Sequence, residues 1–186
     1  MDTLTAIHTR HSIGAVKQDP LPRELIEKLL SAGAQAPNHY KVRPWRFFVL
    51  SGEARNRLGD AMAETFRAKF PDAPAGAEDK ERAKPLRAPV IIAVGVDMPA
   101  ADTKAVEIEN IAAVAAACQN ILLAAHDLGL GAIWRTGENA RDPEIKKFFG
   151  LTPEQHLLAF IYVGYIDAML DFPGRQGFED RTVWME

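Results

Sequence analysis

The sequence of 186 residues contains a single cysteine, Cys118. One cysteine excludes an intrachain disulfide framework and a cysteine-rich zinc site, and it suits the reducing cytosol. An excess of positive charge is also absent, since 22 lysines and arginines stand against 25 aspartates and glutamates for a net charge of −3. We therefore expect neither nucleic acid nor an anionic membrane surface as a partner.

Long apolar runs and a targeting segment are missing as well. Residues 1–5 have no basic patch leading into an apolar stretch, as a signal peptide would. The longest apolar run covers roughly residues 111–118, and a membrane-spanning helix needs about 20 apolar residues. We therefore expect a soluble, cytoplasmic protein that does not enter a membrane.

Motifs for catalysis by the protein alone are absent too. The sequence has no Gly-x-Ser-x-Gly elbow, no His-Glu-x-x-His metal helix and no P-loop lysine signature. Gly129 and Gly131 follow a predicted helix and precede a predicted strand, which is the reverse of a dinucleotide fingerprint. An enzyme with this inventory needs a bound cofactor, and we expect no metal site.

What is present predicts one α+β domain over residues 1–186, with helices and strands alternating in layers. Apolar spacing and capping residues predict the helices, and β-prone runs bounded by turn residues predict the strands. The predicted helices cover residues 2–11, 21–33, 53–69, 106–128 and 142–149. The predicted strands cover residues 45–50, 89–96, 132–134 and 157–164, all of them buried.

The most distinctive predicted helix is the alanine-rich one over residues 106–128. It is apolar nearly all round, so we expect it to be buried, either inside the monomer or against a second subunit. Leu4 and Ile7 are expected on the inner face of the first helix. Residues 71–84 predict an exposed, mobile excursion, and residues 167–186 predict an extended C-terminal arm.

Three polar segments could hold a ligand, and each also has a purely structural explanation. Arg10-His11-Ser12 offers donors for phosphate, sugar hydroxyls or ring carbonyls, or forms a solvated helix end. Pro37-Asn38-His39 holds polar groups in a rigid loop, or merely joins a helix to a strand. Trp134-Arg135-Thr136 places donors at the end of a strand, or is a strand edge with a surface arginine.

In this order and at these separations, the three segments resemble the nitroreductase family. The resemblance covers nearly the whole length, and although each motif is weak alone, their joint order is specific. The compact size and the Trp-Arg-Thr-Gly loop are typical of the small branch of that family. The matching segments are Ala6–Ser12, Ala36–His39, Pro44–Phe47, Ala88–Pro89, Glu109, Gln119–Ala125, Leu128–Gly131, Trp134–Gly137 and Tyr162–Tyr165.

The resemblance implies a fold with a mainly antiparallel central sheet flanked by helices, a long buried central helix and an extended C-terminal arm. It also implies a homodimer with flavin mononucleotide (FMN) at the subunit interface. Arg10-His11-Ser12 would contact the ribityl phosphate and the pyrimidine side of the flavin. Gln35 and His39 would reach the flavin held mainly by the other subunit, with a solvated Gln35 as the alternative. Trp134-Arg135-Thr136 would line the opposite edge.

One position departs from the family pattern. Many members have a lysine two residues after the serine, near flavin N1 and O2, where this sequence has Gly14. Either Arg10 or Arg135 then supplies the positive charge, or the reduced ring is less stabilised. Arg175 in the arm could reach the phosphate, and a solvated arm is the alternative.

The activity implied by the resemblance is that of an NAD(P)H-dependent flavin oxidoreductase. NADH or NADPH would reduce the flavin, which would then reduce a small flat acceptor such as a nitroaromatic or a quinone. No side chain is assigned as an acid or base. Two alternatives stay open: another flavin enzyme on the same fold, such as a dehalogenase with residues 71–84 as its only candidate lid, and a non-enzymatic flavin-binding or storage protein.

Overall fold

The computed structural model describes residues 1–168, 172 and 174–186, so part of the predicted arm, residues 169–171 and 173, lies outside the described residues. The helices are Thr3–Thr9 (α1), Arg23–Gly33 (α2), Glu53–Lys69 (α3), Asp79–Arg82 (α4), Glu107–Asp127 (α5) and Pro143–Phe148 (α6). The strands are Trp45–Ser51 (β1), Val90–Val96 (β2), Leu130–Arg135 (β3) and His156–Tyr165 (β4). Short 3-10 turns cover residues 39–41, 84–87, 138–140 and 179–181.

The four strands form one antiparallel sheet in the order β1-β2-β4-β3. Side chains of β2 alternate between two cores, because successive residues of a strand face opposite sides. Val90, Ile92, Val94 and Val96 pack with α2 and α5, whereas Ile91 and Ala93 pack with α3 and α6. The sheet therefore lies between two helical layers, which confirms the predicted α+β fold class.

Helix α5 forms the centre of one layer. Eight of its residues are buried, among them Asn110, Val114 and Ile121. By length and composition alone α5 could also cross a membrane, but 44% of that apolar window is buried within the structure, and the core helix of a globular domain meets the same criteria. Its outer face stays open, with Ile108 69% exposed, so the predicted burial all round is wrong for the single chain.

Two further expectations need correction. Leu4 and Ile7 are 68% and 40% exposed, because α1 turns only Ala6 towards its own chain. Strand β1 is an edge strand and only Leu50 is buried, although its apolar run predicts a buried strand. Residues 71–84 are exposed or half-exposed, as expected, and they contain α4, which is tied to α3 by ion pairs.

The segment between α1 and α2 runs along the outer edge of β3. The backbone N–H of Ile13 donates to the Ala132 carbonyl at 2.9 Å, and that of Lys17 donates to the Tyr165 carbonyl at 2.8 Å. This approach requires Gly131, because a Cβ there would lie 2.7 Å from the Val16 side chain. The end of α1 is thereby held beside the end of β3.

Candidate functional site

Helix α1 delivers the first candidate residues to the C-terminal end of α5. Asp2 caps α1 by accepting from the Thr5 N–H at 3.0 Å, and α1 stops at Arg10, whose backbone is extended. The Thr9 hydroxyl lies 2.8 Å from His126 Nε2, and the terminal ammonium of Met1 lies 2.8 Å from an Asp127 oxygen. These contacts hold α1 against the end of α5, and they thereby fix the position of Arg10, where the loop after α1 begins.

Part of the Arg10 guanidinium is buried without a partner among the described residues. Its Nε and Nη1 atoms have no hydrogen bond to any described residue. Burial, and then the like charge of Arg175, lower the pKa of Arg10 from its ordinary value. Because buried donors normally have partners, and one left unpaired is costly, this guanidinium fits an anionic group that the described residues do not supply.

A second arginine and two histidines lie near Arg10. Arg175 donates to the backbone carbonyls of Ile7 and Arg10, which brings one end of the arm onto the end of α1. His11 stacks on Phe172 with ring centroids 4.0 Å apart. Burial first, then the charges of Arg10 and His11, lower the pKa of His126. The donors of this cluster match a phosphate, which accepts several charge-assisted hydrogen bonds.

Arg135 joins this region from the end of β3. Its Nη2 atom lies 3.5 Å from the place where a Gly14 Cβ would stand, so the guanidinium takes the space beside that glycine. Of the two arginines expected as the source of positive charge near Gly14, Arg135 is therefore the one that lies beside this position. Ser12, between Arg10 and Gly14, is exposed.

A cavity of about 330 Å³ opens beside Arg135. Thr136 lines it together with Lys84 and Arg87, which come from the 3-10 turn after α4. Burial raises the pKa of Tyr162 in this cavity, although Arg87 and Arg135 act to lower it. The sequence analysis missed Lys84 and Arg87; the available signal was their spacing of three, which places both on one side of a 3-10 turn.

Trp134 and Arg135 do not act together. Trp134 packs against the core on the α5 side and donates through Nε1 to the Leu158 carbonyl at 3.2 Å. Arg135 lies on the opposite face of the sheet, as neighbouring strand residues must. Of these three residues, Arg135 and Thr136 line the cavity, and the indole of Trp134 holds β3 in place.

His39 lies at a second site, in the turn that links α2 to β1. Its Nδ1 atom is 3.3 Å from Glu109 Oε1 on the first turn of α5. His39 and Glu109 border a cavity of about 540 Å³, whose floor includes Ala112 and Ala116. Gln35 is exposed and lines neither this cavity nor the one beside Arg135.

The two sites lie far apart within one chain. Glu109 and His126 are near opposite ends of α5, and at roughly 1.5 Å per residue they are about 25 Å apart along its axis. That separation is comparable with the diameter of a small domain. Arg10 and His11 therefore lie near the C-terminal end of α5, and His39 lies near its N-terminal end. Arg135 lies beside Gly14, four residues after Arg10.

A family model described as the nitroreductase family matches residues 7–165 of the chain. The chain belongs to the nitroreductase family. It is 32% identical over 164 residues to the Escherichia coli (strain K12) protein named as NAD(P)H nitroreductase YdjA, with 88% of each chain covered. It is 39% identical over 171 residues to a Methanothermobacter thermautotrophicus protein named as an NADH dehydrogenase/NAD(P)H nitroreductase, covering 89% of this chain and 78% of that protein.

Solved nitroreductase-family structures have the same fold. A nitroreductase-like family protein from Bacillus cereus superposes with a TM-score of 0.83 at 27% identity, covering 100% of this chain and 99% of that one. A protein from Desulfovibrio desulfuricans, described as a nitroreductase in complex with FMN, gives a TM-score of 0.75 at 25% identity, with 100% and 99% covered. These matches confirm the resemblance on which the predicted fold rests.

Proposed function

We propose that this protein is an FMN-dependent NAD(P)H oxidoreductase that reduces small flat acceptors such as nitroaromatics and quinones. The observation that carries the proposal is that two buried donors of the Arg10 guanidinium have no anion among the described residues, in a family whose solved members include one described with FMN. When bound, FMN supplies the hydride chemistry that the side chains of this protein lack.

The proposal gives each cationic group of the site a task. Arg10 and Arg175 hold the phosphate, and burial of the Arg10 donors strengthens each contact because the local dielectric is low. Arg135, beside Gly14, faces the carbonyl-rich edge of the flavin. Lys84 and Arg87 add positive charge on the far side of the same cavity.

We also propose a soluble, cytoplasmic homodimer in which each flavin site is shared. Arg10 lies near His126 and His39 lies beside Glu109, and these two α5 residues are about 25 Å apart along the helix. One mononucleotide therefore reaches both Arg10 and His39 only if they come from different copies. Exposed apolar side chains lie near both ends of α5, among them Leu4 at 68% and Ile108 at 69% exposure. A patch of this kind is typical of a subunit interface.

Anaerobic titration of the purified protein tests the function. We expect a yellow protein that releases FMN, not FAD, on denaturation, and whose flavin absorbance is bleached by NADH or NADPH and restored by a nitroaromatic or a quinone. A colourless protein that does not bind added FMN contradicts the cofactor assignment. A flavin that neither nicotinamide bleaches contradicts the enzymatic activity and favours flavin binding or storage.

A further inference from the structure

The 3-10 turn after α4 ends at Arg87, and the backbone is held on both sides of this residue. Gln18 Nε2 donates to the Leu86 carbonyl at 3.0 Å. Arg55 Nη1 donates to the Ala88 carbonyl at 2.5 Å. Carbonyl groups at the end of a helical turn lack partners within the turn, so side chains from other segments supply the donors here.

The two side chains that hold this backbone are also bonded to each other. Arg55 Nη1 donates to Gln18 Oε1 at 3.2 Å, so a continuous set of hydrogen bonds runs from one carbonyl to the other. We call Gln18 and Arg55 together the carbonyl clamp. Gln18 belongs to the segment between α1 and α2, which also carries Arg10, and Arg55 lies in the first turn of α3. The clamp therefore connects the turn to the loop that carries Arg10.

Arg55 keeps one buried donor unused. Its Nε atom is buried and has no hydrogen bond to any described residue. An unpaired buried donor destabilises the folded protein, so stability alone does not explain an arginine at this position. A guanidinium offers several donors in one rigid plane, and this geometry lets Arg55 bond to the Ala88 carbonyl and to Gln18 at once.

Arg87, the residue that the clamp brackets, lines the cavity together with Arg135 and Tyr162. Burial raises the pKa of Tyr162, and among the charges that act to lower it, Arg87 has a larger effect than Arg135. The charge of Arg87 therefore lies close to the Tyr162 hydroxyl. Lys84 contributes less net charge to the cavity, because its Nζ atom lies 2.5 Å from a Glu81 oxygen.

We propose that Gln18 and Arg55 are positioning residues that hold the charge of Arg87 in the cavity beside Arg135. This inference rests on the proposed function, in which the cavity borders the carbonyl-rich edge of the flavin. A positive charge at that edge favours the reduced flavin, which carries more negative charge, over the oxidised form. Neither Gln18 nor Arg55 is among the residues that line the cavity, so both act through Arg87.

The titration of Tyr162 reports the position of Arg87 in the protein without FMN. Carbon-13 NMR of protein labelled in its tyrosine rings follows this titration, and Tyr162→Phe identifies the signal. Arg87→Gln should raise the pKa of Tyr162, because a positive charge that lowers it is removed. Gln18→Ala and Arg55→Gln should raise the pKa as well, because the turn is released and Arg87 moves away from the hydroxyl.

The affinities for oxidised and for dithionite-reduced FMN measure the consequence for the flavin. Arg87→Gln should lower the preference for reduced FMN, expressed as the ratio of the two Kd values, about tenfold, which equals one pKa unit of charge interaction. For a two-electron couple this shift makes the midpoint potential of the bound flavin about 30 mV more negative. Gln18→Ala and Arg55→Gln should each lower the ratio about threefold, since the charge is displaced but not removed.

A double variant distinguishes positioning from a general effect on the fold. Gln18→Ala combined with Arg87→Gln should give the Kd ratio of Arg87→Gln alone, within about twofold, because the clamp then has no charge to position. Arg55→Lys retains a donor for the Ala88 carbonyl and should keep most of the wild-type preference. Arg57→Gln is the matched control, since Arg57 is exposed on α3, and it should change neither the ratio nor the tyrosine titration.

If the pKa of Tyr162 is unchanged in Gln18→Ala and Arg55→Gln, the clamp does not set the position of Arg87 and the proposal is overturned. Additive losses in the double variant would overturn it as well, because the clamp would then act independently of Arg87. A wild-type protein that binds neither form of FMN contradicts the proposed function, yet the titration of Tyr162 still decides whether the clamp positions Arg87.

Discussion

At the scale of single residues, the site is organised around a charge for which the described residues provide no counter-charge. The Arg10 guanidinium is buried with two nitrogen atoms unpaired among the described residues, and Arg175 adds a second positive charge close by. A buried charge without a partner destabilises the folded protein. The same feature favours a bound anion. Arg10 therefore lowers the stability of the protein without FMN and raises its affinity for the anion.

Arg10→Gln should therefore have opposite effects on affinity and stability. The FMN affinity should fall by about 1.5–3 kcal/mol, roughly 10- to 150-fold, because a charge-assisted contact is lost. The protein without FMN should be as stable as the wild type or more stable, since an unpaired buried charge is removed. Calorimetric titration with FMN and urea unfolding of the empty protein measure the two effects.

Arg23→Gln is the matched control for Arg10→Gln, because Arg23 is a well-exposed arginine paired with Glu27. It should change neither FMN affinity nor stability appreciably. If Arg10→Gln binds FMN as tightly as the wild type does, Arg10 does not bind the phosphate.

His126 should make the empty protein sensitive to mild acid. Burial, followed by Arg10 and His11, lowers the pKa of His126, so the folded protein binds fewer protons than the unfolded chain. The free energy of unfolding should then decrease as the pH falls below about 6.5, the ordinary histidine value. Urea unfolding at pH 8 and pH 5.5 should show a smaller decrease in His126→Gln than in wild type.

His8→Gln provides the comparison for His126→Gln, since His8 is exposed on α1. It should retain the wild-type pH dependence. If His126→Gln is as sensitive to acid as the wild type, the docking of α1 on α5 does not depend on a neutral His126.

The candidate site residues could be found from the sequence, but their grouping could not. Arg10 and Arg135 belong to polar segments that interrupt regular apolar patterns, and this made them visible. That Arg135 takes the space beside Gly14 depends on how β3 meets the α1–α2 segment, which no local pattern encodes. Lys84 and Arg87 were missed because they resemble ordinary surface charges until the fold places them opposite Arg135.

At the scale of helices and strands, local sequence signals predicted where the elements begin and end well, and they predicted which of their side chains are buried poorly. Helix α3 runs from Glu53 to Lys69, as predicted, because its ends are marked by Gly52 and by the residues before Pro71. The errors at Leu4, Ile7 and β1 share one cause. Apolar spacing shows that a face is meant to be covered, but it does not show whether the same chain covers it.

The start of α6 depends on one buried carboxylate. Asp142 Oδ1 accepts from the Glu144 and Ile145 N–H groups at 2.9 and 3.2 Å, and Oδ2 lies 2.5 Å from Lys69 Nζ. Burial acts to raise the pKa of Asp142, but the bond to Lys69 and the backbone donors outweigh it and lower the pKa. The ionised form therefore stabilises the fold above the ordinary carboxyl value, and this stability is lost as the pH falls through the lowered one.

Lys69→Met should destabilise the protein by about 1–2 kcal/mol at pH 7, less than for a fully buried pair because Lys69 is half-exposed. It should also bring acid unfolding to higher pH, since the ionised Asp142 loses its partner. Urea and acid titrations followed by circular dichroism measure both. Lys147→Met breaks the exposed pair with Glu144 and should lower the free energy of unfolding by less than about 0.5 kcal/mol. An equal loss of stability in both variants would contradict the role of the buried Asp142.

At the scale of the whole molecule, the single chain leaves apolar surface open beside both ends of α5. Leu4 and Ile7 lie near one end, and Val106 and Ile108 lie near the other. A second copy that covers these side chains would bury surface that contributes about 25 cal/mol per Å². The proposed dimer then explains both the shared flavin site and the exposed apolar side chains.

Leu4→Glu should weaken self-association and flavin retention together, because a charge at a buried interface is costly. Sedimentation velocity should give about twice the 20.5 kDa chain mass for wild type and a larger monomer fraction for the variant. Phe70→Glu alters a half-exposed apolar residue at the end of α3, in the other helical layer, and should remain dimeric. A wild-type monomer that retains FMN would contradict the shared site.

The length of α5 has a consequence for how this protein can change over time. Each residue inserted into the helix would shift one end by about 1.5 Å and rotate it by about 100° relative to the other. Such a change would misplace Glu109 and His126 together, and with them the two halves of each shared site. Insertions and deletions should therefore be tolerated in the connecting loops and selected against within Glu107–Asp127. The length of α5 sets the distance between the two halves of the site that each chain contributes.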